Sequence, residues 1–412
     1  MPSRRQLLTG IAAASLSPVL VVEHAQAQET YPFPEQPPEG QRVKTGDPMP
    51  APARGFYPYS GISGPGLPAG EYSRRGGWVT GSKGVRYAGP NPHPYKTLPY
   101  DGPKGTAVTD GLIPQIQPLL ELHIRDTVIC LGGDGHYYMT GSTGDNIWAF
   151  NDGVELWRSA DLKHWDYMGL VWSLERDGGW EKQWVSLHGL PSRAIWAPEI
   201  HYAGGTFFIV LSMAPSGCSI LKSTTGKAEG PYVHAFSPDK PVVMQIDPTL
   251  FEDDDGSVYF TAGSAKRIVK LKADFSGFDG DWRDIDIEPV HDKDQHAPKC
   301  VPRGMNDLGH EGAVLFKAHG KYYLGAADNP YNRYSTMLAV SDTIWGPYRM
   351  RHESVPCGGG TNFFRDKDGH WWCSYFGNDD QSPFREKPAI VRAAFDKDGR
   401  VGVDRAFYGL KQ

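Results

Sequence analysis

Three acidic residues sit where short apolar strands begin rather than in the turns between strands. Asp126 lies in HIRDTVICLGGDGHYYMTGS, Asp247 in QIDPTLFEDDDGSVYF and Glu311 in GHEGAVLFKAHGKYYL. Carboxyls in such places suit proton transfer. One that is held neutral can protonate a leaving group, and one that is held ionised can take a proton from water. A third carboxylate nearby raises the pKa of the donor by like-charge repulsion and orients it. Taken singly, each of the three could equally cap a strand or pair with a cation. Their recurrence at the same place in a repeat argues for a single site. Asp134, Asp253, Asp254, Asp255, Asp366 and Asp368 fall instead in hairpin turns. There the expected role of Asp is solvated turn chemistry with neighbouring backbone N–H groups.

The elements that must position these groups repeat loosely from about residue 113 onward. DGHYYMTGS and VELWRSADLKHWDYMG form a first unit, and IHYAGGTFFIVLSMA and CSILKSTTGKAEGPY a second. PTLFEDDDGSVYFTAGS with RIVKLKADF, then AVLFKAHGKYYLGAAD with TMLAVSDTIWGPY, make the third and fourth. TNFFRDKDGHWWCSYFGND and AIVRAAFDKDG close the series. Each unit reads as a short apolar strand, a Gly-containing turn, an aromatic-rich strand and a further strand. Asp-Gly and Gly-Gly between such runs are strong hairpin signals. No interval carries a sustained helical period. A sheet of three or four strands leaves both faces bare, whereas five packed radially cover one another. The expected class is therefore all-β, a five-bladed β-propeller over residues 113–412. A β-sandwich of similar hairpins is the competing architecture. In a propeller the innermost strands line the central channel, so the first, third and fourth units would bring their acids to one pocket.

Composition narrows the function. The 412 residues carry a net charge of -6 with both signs mixed. No basic stripe offers the phosphate contacts that nucleic-acid binding needs. The 49 Gly and 34 Pro suit many short strands and turns and fit a helical bundle poorly. Arg4 and Arg5, the apolar run IAAASLSPVLVV and AQA at 25–27 are the three parts of a bacterial signal peptide. The paired arginines before Leu7 and Leu8 have the twin-arginine form. Residues 1–27 are therefore expected to be a leader, with the mature protein periplasmic or secreted and without a membrane anchor. Residues 28–112 are Gly/Pro-rich and aperiodic, and read as an irregular N-terminal extension. Cys130, Cys218, Cys300, Cys357 and Cys373 form no CxxC pair, so they read as buried free thiols. Zinc spacings, a G-x-S-x-G elbow and a phosphate loop do not occur.

RDTVICLGGDGHYYMTGS, WAPEIHYAGGTFFIVLS, IDPTLFEDDDGSVYF and HEGAVLFKAHGKYYL, in that order, resemble glycoside hydrolase family 43. The resemblance covers roughly residues 120–400. It implies a five-bladed propeller from the inverting clan of arabinanases, arabinofuranosidases and xylosidases. It implies an oligosaccharide or polysaccharide substrate from plants or microbes, with arabinose, xylose and galactose all compatible. By position, Asp126 resembles the general base that activates water, Asp247 the residue that tunes and orients the acid, and Glu311 the general acid. Carboxyls with these roles stand about 6.5–9.5 Å apart in inverting enzymes. Trp196, in WAPE, resembles an aromatic bordering the sugar subsite; packing inside a blade is its other reading.

Three further residues are candidates for contact with substrate. Glu199 follows Pro198 in the same motif, His310 stands beside the expected acid, and Arg385 lies in FGNDDQSPFREKP. His310 could hydrogen-bond sugar hydroxyls. Arg385 could clamp a hydroxyl or carboxylate, or form a surface ion pair. Two places depart from the family pattern. Thr127 follows the base where Pro is usual, and PCGGGTNFF holds Gly358, Gly359, Gly360 and Thr361 where a channel histidine often stands. Two carboxyls can supply both proton transfers, so neither cofactor nor catalytic metal is expected. A sugar-binding propeller without turnover is the alternative function, and a lyase or transglycosidase on the same fold a third.

Overall fold

The computed structural model describes residues 118–120, 124–143, 153–183, 195–213, 217–288, 308–328, 334–377 and 387–410. The leader, the 28–112 extension, Cys300 and Arg385 lie outside the described residues. Among the described residues twenty strands form five antiparallel four-stranded sheets, each taken from one stretch of sequence in order. Blade one holds β1 (Arg125–Leu131), β2 (Tyr137–Ser142), β3 (Gly153–Ser159) and β4 (Asp166–Ser173). Blade two holds β5 (Ile195–Ala203), β6 (Thr206–Met213), β7 (Gly217–Ser223) and β8 (Tyr232–His234). Blade three holds β9 (Thr249–Glu252), β10 (Val258–Thr261), β11 (Arg267–Lys270) and β12 (Arg283–Asp284). Blade four holds β13 (Glu311–Ala318), β14 (Lys321–Asp328), β15 (Ser335–Ser341) and β16 (Arg349–Val355). Blade five holds β17 (Gly358–Arg365), β18 (Trp371–Gly377), β19 (Pro388–Phe395) and β20 (Val401–Val403). Among the described residues helix is confined to α1 (Leu174–Asp177) and a 3-10 turn at Trp180–Gln183. The architecture is the expected all-β, five-bladed propeller.

Its core is not one mass but five wedges, one between each pair of neighbouring blades. Leu156, Trp172, Ile209 and Leu211 fill the wedge between blades one and two. Phe208, Leu250 and Phe260 fill the next, and Phe251, Leu315 and Tyr348 the one after. Phe316 of blade four stacks on Phe363 of blade five at 4.5 Å. A middle strand therefore has apolar neighbours on both faces, and β15 is buried at every one of its residues. Strands buried on both sides read as continuous apolar runs without alternation, which is why the repeat shows in composition more clearly than in period.

The ring closes between blades five and one without exchanging a strand. The Asn362 side chain donates to the Ile129 carbonyl at 3.0 Å and accepts from the Ile129 N–H at 2.9 Å. Leu119 donates its N–H to the Pro388 carbonyl at 2.7 Å, and Leu119, Leu120 and Ile124 join Trp157 and Phe364 in the closing wedge. Ser374 Oγ donates to the Thr127 carbonyl at 2.5 Å and the Lys367 N–H to Tyr137 Oη at 2.9 Å, so closure rests on several side-chain bonds and on the chain just before β1.

The hairpin acids divide into two kinds. The Asp255 carboxylate accepts from the Ser257 N–H and is exposed, in keeping with ordinary turn chemistry. Asp253 differs from that expectation. Its carboxylate reaches blade four, accepting from Lys317 Nζ and Tyr322 Oη, each at 2.6 Å. Asp366 accepts from the His370 N–H and from Trp372 Nε1, both at 2.8 Å. Cys218, Cys357 and Cys373 are buried and Cys130 is half-buried.

Candidate active site

Each innermost strand carries one extra residue at the same place. On β1, Arg125 pairs with Ser142 but the next partner of β2 is Val128, opposite Thr140. The same slip separates Trp196 from Glu199, Glu311 from Val314 and Gly359 from Asn362. Blade three repeats it just ahead of β9, where Gly263 N–H donates to the Ile246 carbonyl. The extra residue is left-handed every time: Asp126 (φ 51°), Ala197 (43°), Asp247 (51°), Gly312 (68°) and Gly360 (49°). Asp and Gly enter this region at low cost, while most residues do not. Bulges re-aim side chains and sit often beside active sites. The alignment also corrects the expectation that the three acids are equivalent. Asp126 and Asp247 are the bulge residues of their blades, whereas Glu311 stands one residue earlier, level with Arg125, Trp196, Ile246 and Gly359.

Both positions nevertheless face one hollow. One pocket is lined by Arg125, Asp126, Ser142, Trp196, Ile246, Asp247, Glu311 and Tyr334. Its three carboxyls come from three blades, and each is tied to a neighbouring element. Ser142 Oγ donates to Asp126 Oδ2 at 2.7 Å and accepts from the Ala197 N–H at 2.8 Å, so blade two orients the Asp126 contact. The N–H of Gly312 donates to Asp247 Oδ2 at 2.8 Å, tying blade three to the residue after Glu311. Tyr334 Oη donates to Glu311 Oε1 at 2.9 Å, and His310 Nε2 lies 3.5 Å from the same oxygen. His310 in turn faces Asp328, whose carboxylate pairs with Arg351. The guanidinium of Arg125 lies over the Phe376 ring, 4.5 Å from its centre.

These surroundings separate the proton affinities of the three acids. Burial raises Asp126 above the ordinary Asp range, against the pull of Arg125 and the Ser142 hydrogen bond. Burial raises Asp247 much further, because the charges of Glu311 and Asp126 add to it. Burial also acts on Glu311, but the His310 hydrogen bond and charge, the Tyr334 hydroxyl and Arg125 outweigh it and leave this carboxyl low. A proton held by the cluster therefore rests first on Asp247. Groups this close exchange protons as a set rather than singly.

Of the other residues singled out from sequence, Trp196 lines the pocket and His310 flanks Glu311. Glu199 does not line it. This buried carboxyl pairs with His201 at 2.9 Å, is raised mainly by burial, and adds its negative charge to the field on Asp247. Arg385 lies outside the described residues. Sequence reasoning missed Arg125, Ser142, Ile246 and Tyr334. Arg125 and Ile246 were within reach, since each directly precedes a bulge Asp as Trp196 precedes Ala197. Ser142 and Tyr334 carried no such signal, because their place depends on strand pairing and on a loop. The triple glycine of blade five supplies no imidazole at its place on the channel.

A family model described as glycosyl hydrolases family 43 matches residues 116–401. The chain belongs to this family. It is 28% identical over 213 residues to a xylosidase/arabinosidase of Butyrivibrio fibrisolvens, spanning 50% of this chain and 37% of that one. It is 29% identical over 253 residues to a xylan 1,3-β-xylosidase of a Vibrio species, spanning 58% and 42%. The chain thus spans about two-fifths of the length of these curated relatives. A thermostable family-43 glycoside hydrolase superposes with a TM-score of 0.51 at 22% identity, over 68% of this chain and 93% of its own, which supports the propeller fold.

Proposed function

We propose that the protein hydrolyses glycosidic bonds of plant-type polysaccharides or their oligosaccharides, with inversion at the anomeric carbon. One observation carries the reading: carboxyls from blades one, three and four line a single pocket. In this scheme Asp126 takes the proton of an attacking water. Glu311 protonates the departing oxygen on the opposite side of the sugar. Asp247 shares a proton with Glu311 and holds the backbone of Gly312 beside it. Trp196 supplies an apolar face against which a sugar ring can stack. The names of the two curated relatives favour pentose residues, xylose or arabinose, as the sugar released.

The test is a hydrolysis screen on defined xylo- and arabino-oligosaccharides with product identification. Pentose release by the wild type is expected, together with a loss of about 10²–10⁴ in kcat for Glu311→Gln on unactivated substrates. An oligosaccharide that binds yet is never cleaved by the wild type would contradict the proposal. Export through residues 1–27 belongs to the same reading. Replacing Arg4 and Arg5 by Lys is expected to leave the protein in the cytoplasmic fraction.

A further inference from the structure

Blade five contributes no side chain to the pocket at the register where Arg125, Trp196, Ile246 and Glu311 contribute theirs. Gly359 occupies that place, and the space beside it is filled from blade four. A Cβ on Gly359 would lie 1.6 Å from Cε1 of Tyr334, a separation that no real side chain tolerates. The next residue is Gly360, where a Cβ would lie 2.5 Å from Asp126 Oδ1 and 2.6 Å from Phe376 Cε1. The glycines that replace the family's usual pattern thus make room for two groups. One is the Tyr334 ring and the other is the Asp126 carboxyl. Tyr334 is buried, packs with Phe376 and Ala327, and meets the His310 ring edge-on at 5.9 Å.

The hydroxyl of that ring ends on one oxygen of Glu311, Oε1, at 2.9 Å, and His310 Nε2 faces the same oxygen at 3.5 Å. Burial raises the Tyr334 phenol well above its ordinary pKa, so it stays a neutral donor. With two donors aimed at Oε1, a proton on Glu311 is better placed on Oε2. We propose that Tyr334 is a positioning residue for Glu311, seated by Gly359, which occupies Oε1 and thereby directs the transferable proton to Oε2, toward the leaving group. The inference rests on the reading of Glu311 as the general acid.

Tyr334→Phe removes the hydroxyl and keeps the ring on Gly359. The readout is kcat on two aryl glycosides of whichever pentose the wild type releases. On the phenyl glycoside, whose leaving group needs a proton, a fall of about 10- to 100-fold is expected, the size of one hydrogen bond to a charged group. On the 2,4-dinitrophenyl glycoside, which departs without a proton, kcat is expected to stay within about threefold. The alkaline limb of the pH profile is expected to move upward, because a group that lowers Glu311 has gone. Gly359→Ala, which displaces the ring but keeps the hydroxyl, is expected to give the same contrast between substrates. Equal falls on both substrates, or an unmoved alkaline limb, would overturn the assignment. If Glu311→Gln retains wild-type kcat on the phenyl glycoside, the acid assignment and this inference fall together. If Glu311→Gln is inactive there while Tyr334→Phe matches the wild type, the inference on Tyr334 alone fails.

Discussion

At its entrance, β1 carries Asp126, half-buried and with its carboxyl raised; in the hairpin that follows, Asp134 has its carboxyl lowered. Blade three repeats the contrast. Asp247 is raised well above the ordinary range by burial and by three like charges, while Asp253 is lowered. Partial burial acts on Asp253 too, but Lys317 and Tyr322 outweigh it. The same residue type thus does opposite work at the two ends of one strand. Among the hairpins the carboxylates of Asp134, Asp253, Asp255 and Asp366 meet donors, and their charge helps fold the turn or stitch two blades. In the pocket Asp247 meets other carboxylates, so its charge is disfavoured and its proton retained. Perturbation toward the neutral form, inside a hollow, marks a functional site more sharply than acidity does.

Substitutions at the two ends should separate along these lines. Asp126→Asn removes the base and is expected to lower kcat by about 10²–10⁴. Asp247→Asn is expected to lower kcat by a similar factor and, unlike any hairpin change, to raise the melting temperature at neutral pH. The sign follows from linkage. The unfolded chain loses its Asp247 proton near pH 3.9, whereas the folded protein keeps it to higher pH. Between those two values the unfolded state gains relative stability as pH rises. The advantage of Asn over Asp should therefore vanish in acid below about pH 3.9. Thermal melts of both proteins across pH check this; a constant difference would break the comparison.

Smaller effects sharpen it. His310→Gln removes the hydrogen bond and charge that oppose burial at Glu311. That carboxyl then rises, and since a proton donor works only below its own pKa, the alkaline limb of kcat/KM is expected to shift to higher pH. At the hairpin end, Asp253→Ala leaves Lys317 and Tyr322 without their carboxylate. A loss of about 1–3 kcal/mol is expected at unchanged kcat, measured by denaturant titration. Asp255→Asn, on an exposed turn, is expected to change neither melting temperature nor rate.

Much of the fold was legible because hairpin chemistry is local. The Gly-containing turns and the apolar runs between them gave five units. The outermost strands were harder to see. β12 is two exposed residues, Arg283 and Asp284, with no apolar signal at all. At the site, Asp126, Asp247 and Glu311 were readable as strand-entrance residues, and Trp196 through the WAPE motif. The one-residue offset of Glu311 was not, because a bulge is a property of the ladder and no residue type announces it. Tyr334 was hidden for a similar reason. Its position follows from Gly359 in a different blade, part of a run that reads in sequence only as a missing histidine. Glu199 shows the converse, since its motif points to the pocket but its side chain is taken by His201 below it.

The geometry of three blades facing one pocket has a direct stereochemical consequence. If Asp126 activates water on the face opposite Glu311, the anomer released first must be inverted. Proton NMR of the earliest product from an oligosaccharide that the wild type cleaves reads this before mutarotation. An inverted first-formed anomer is the expected result, and a retained one would contradict the assignment of Asp126 as base.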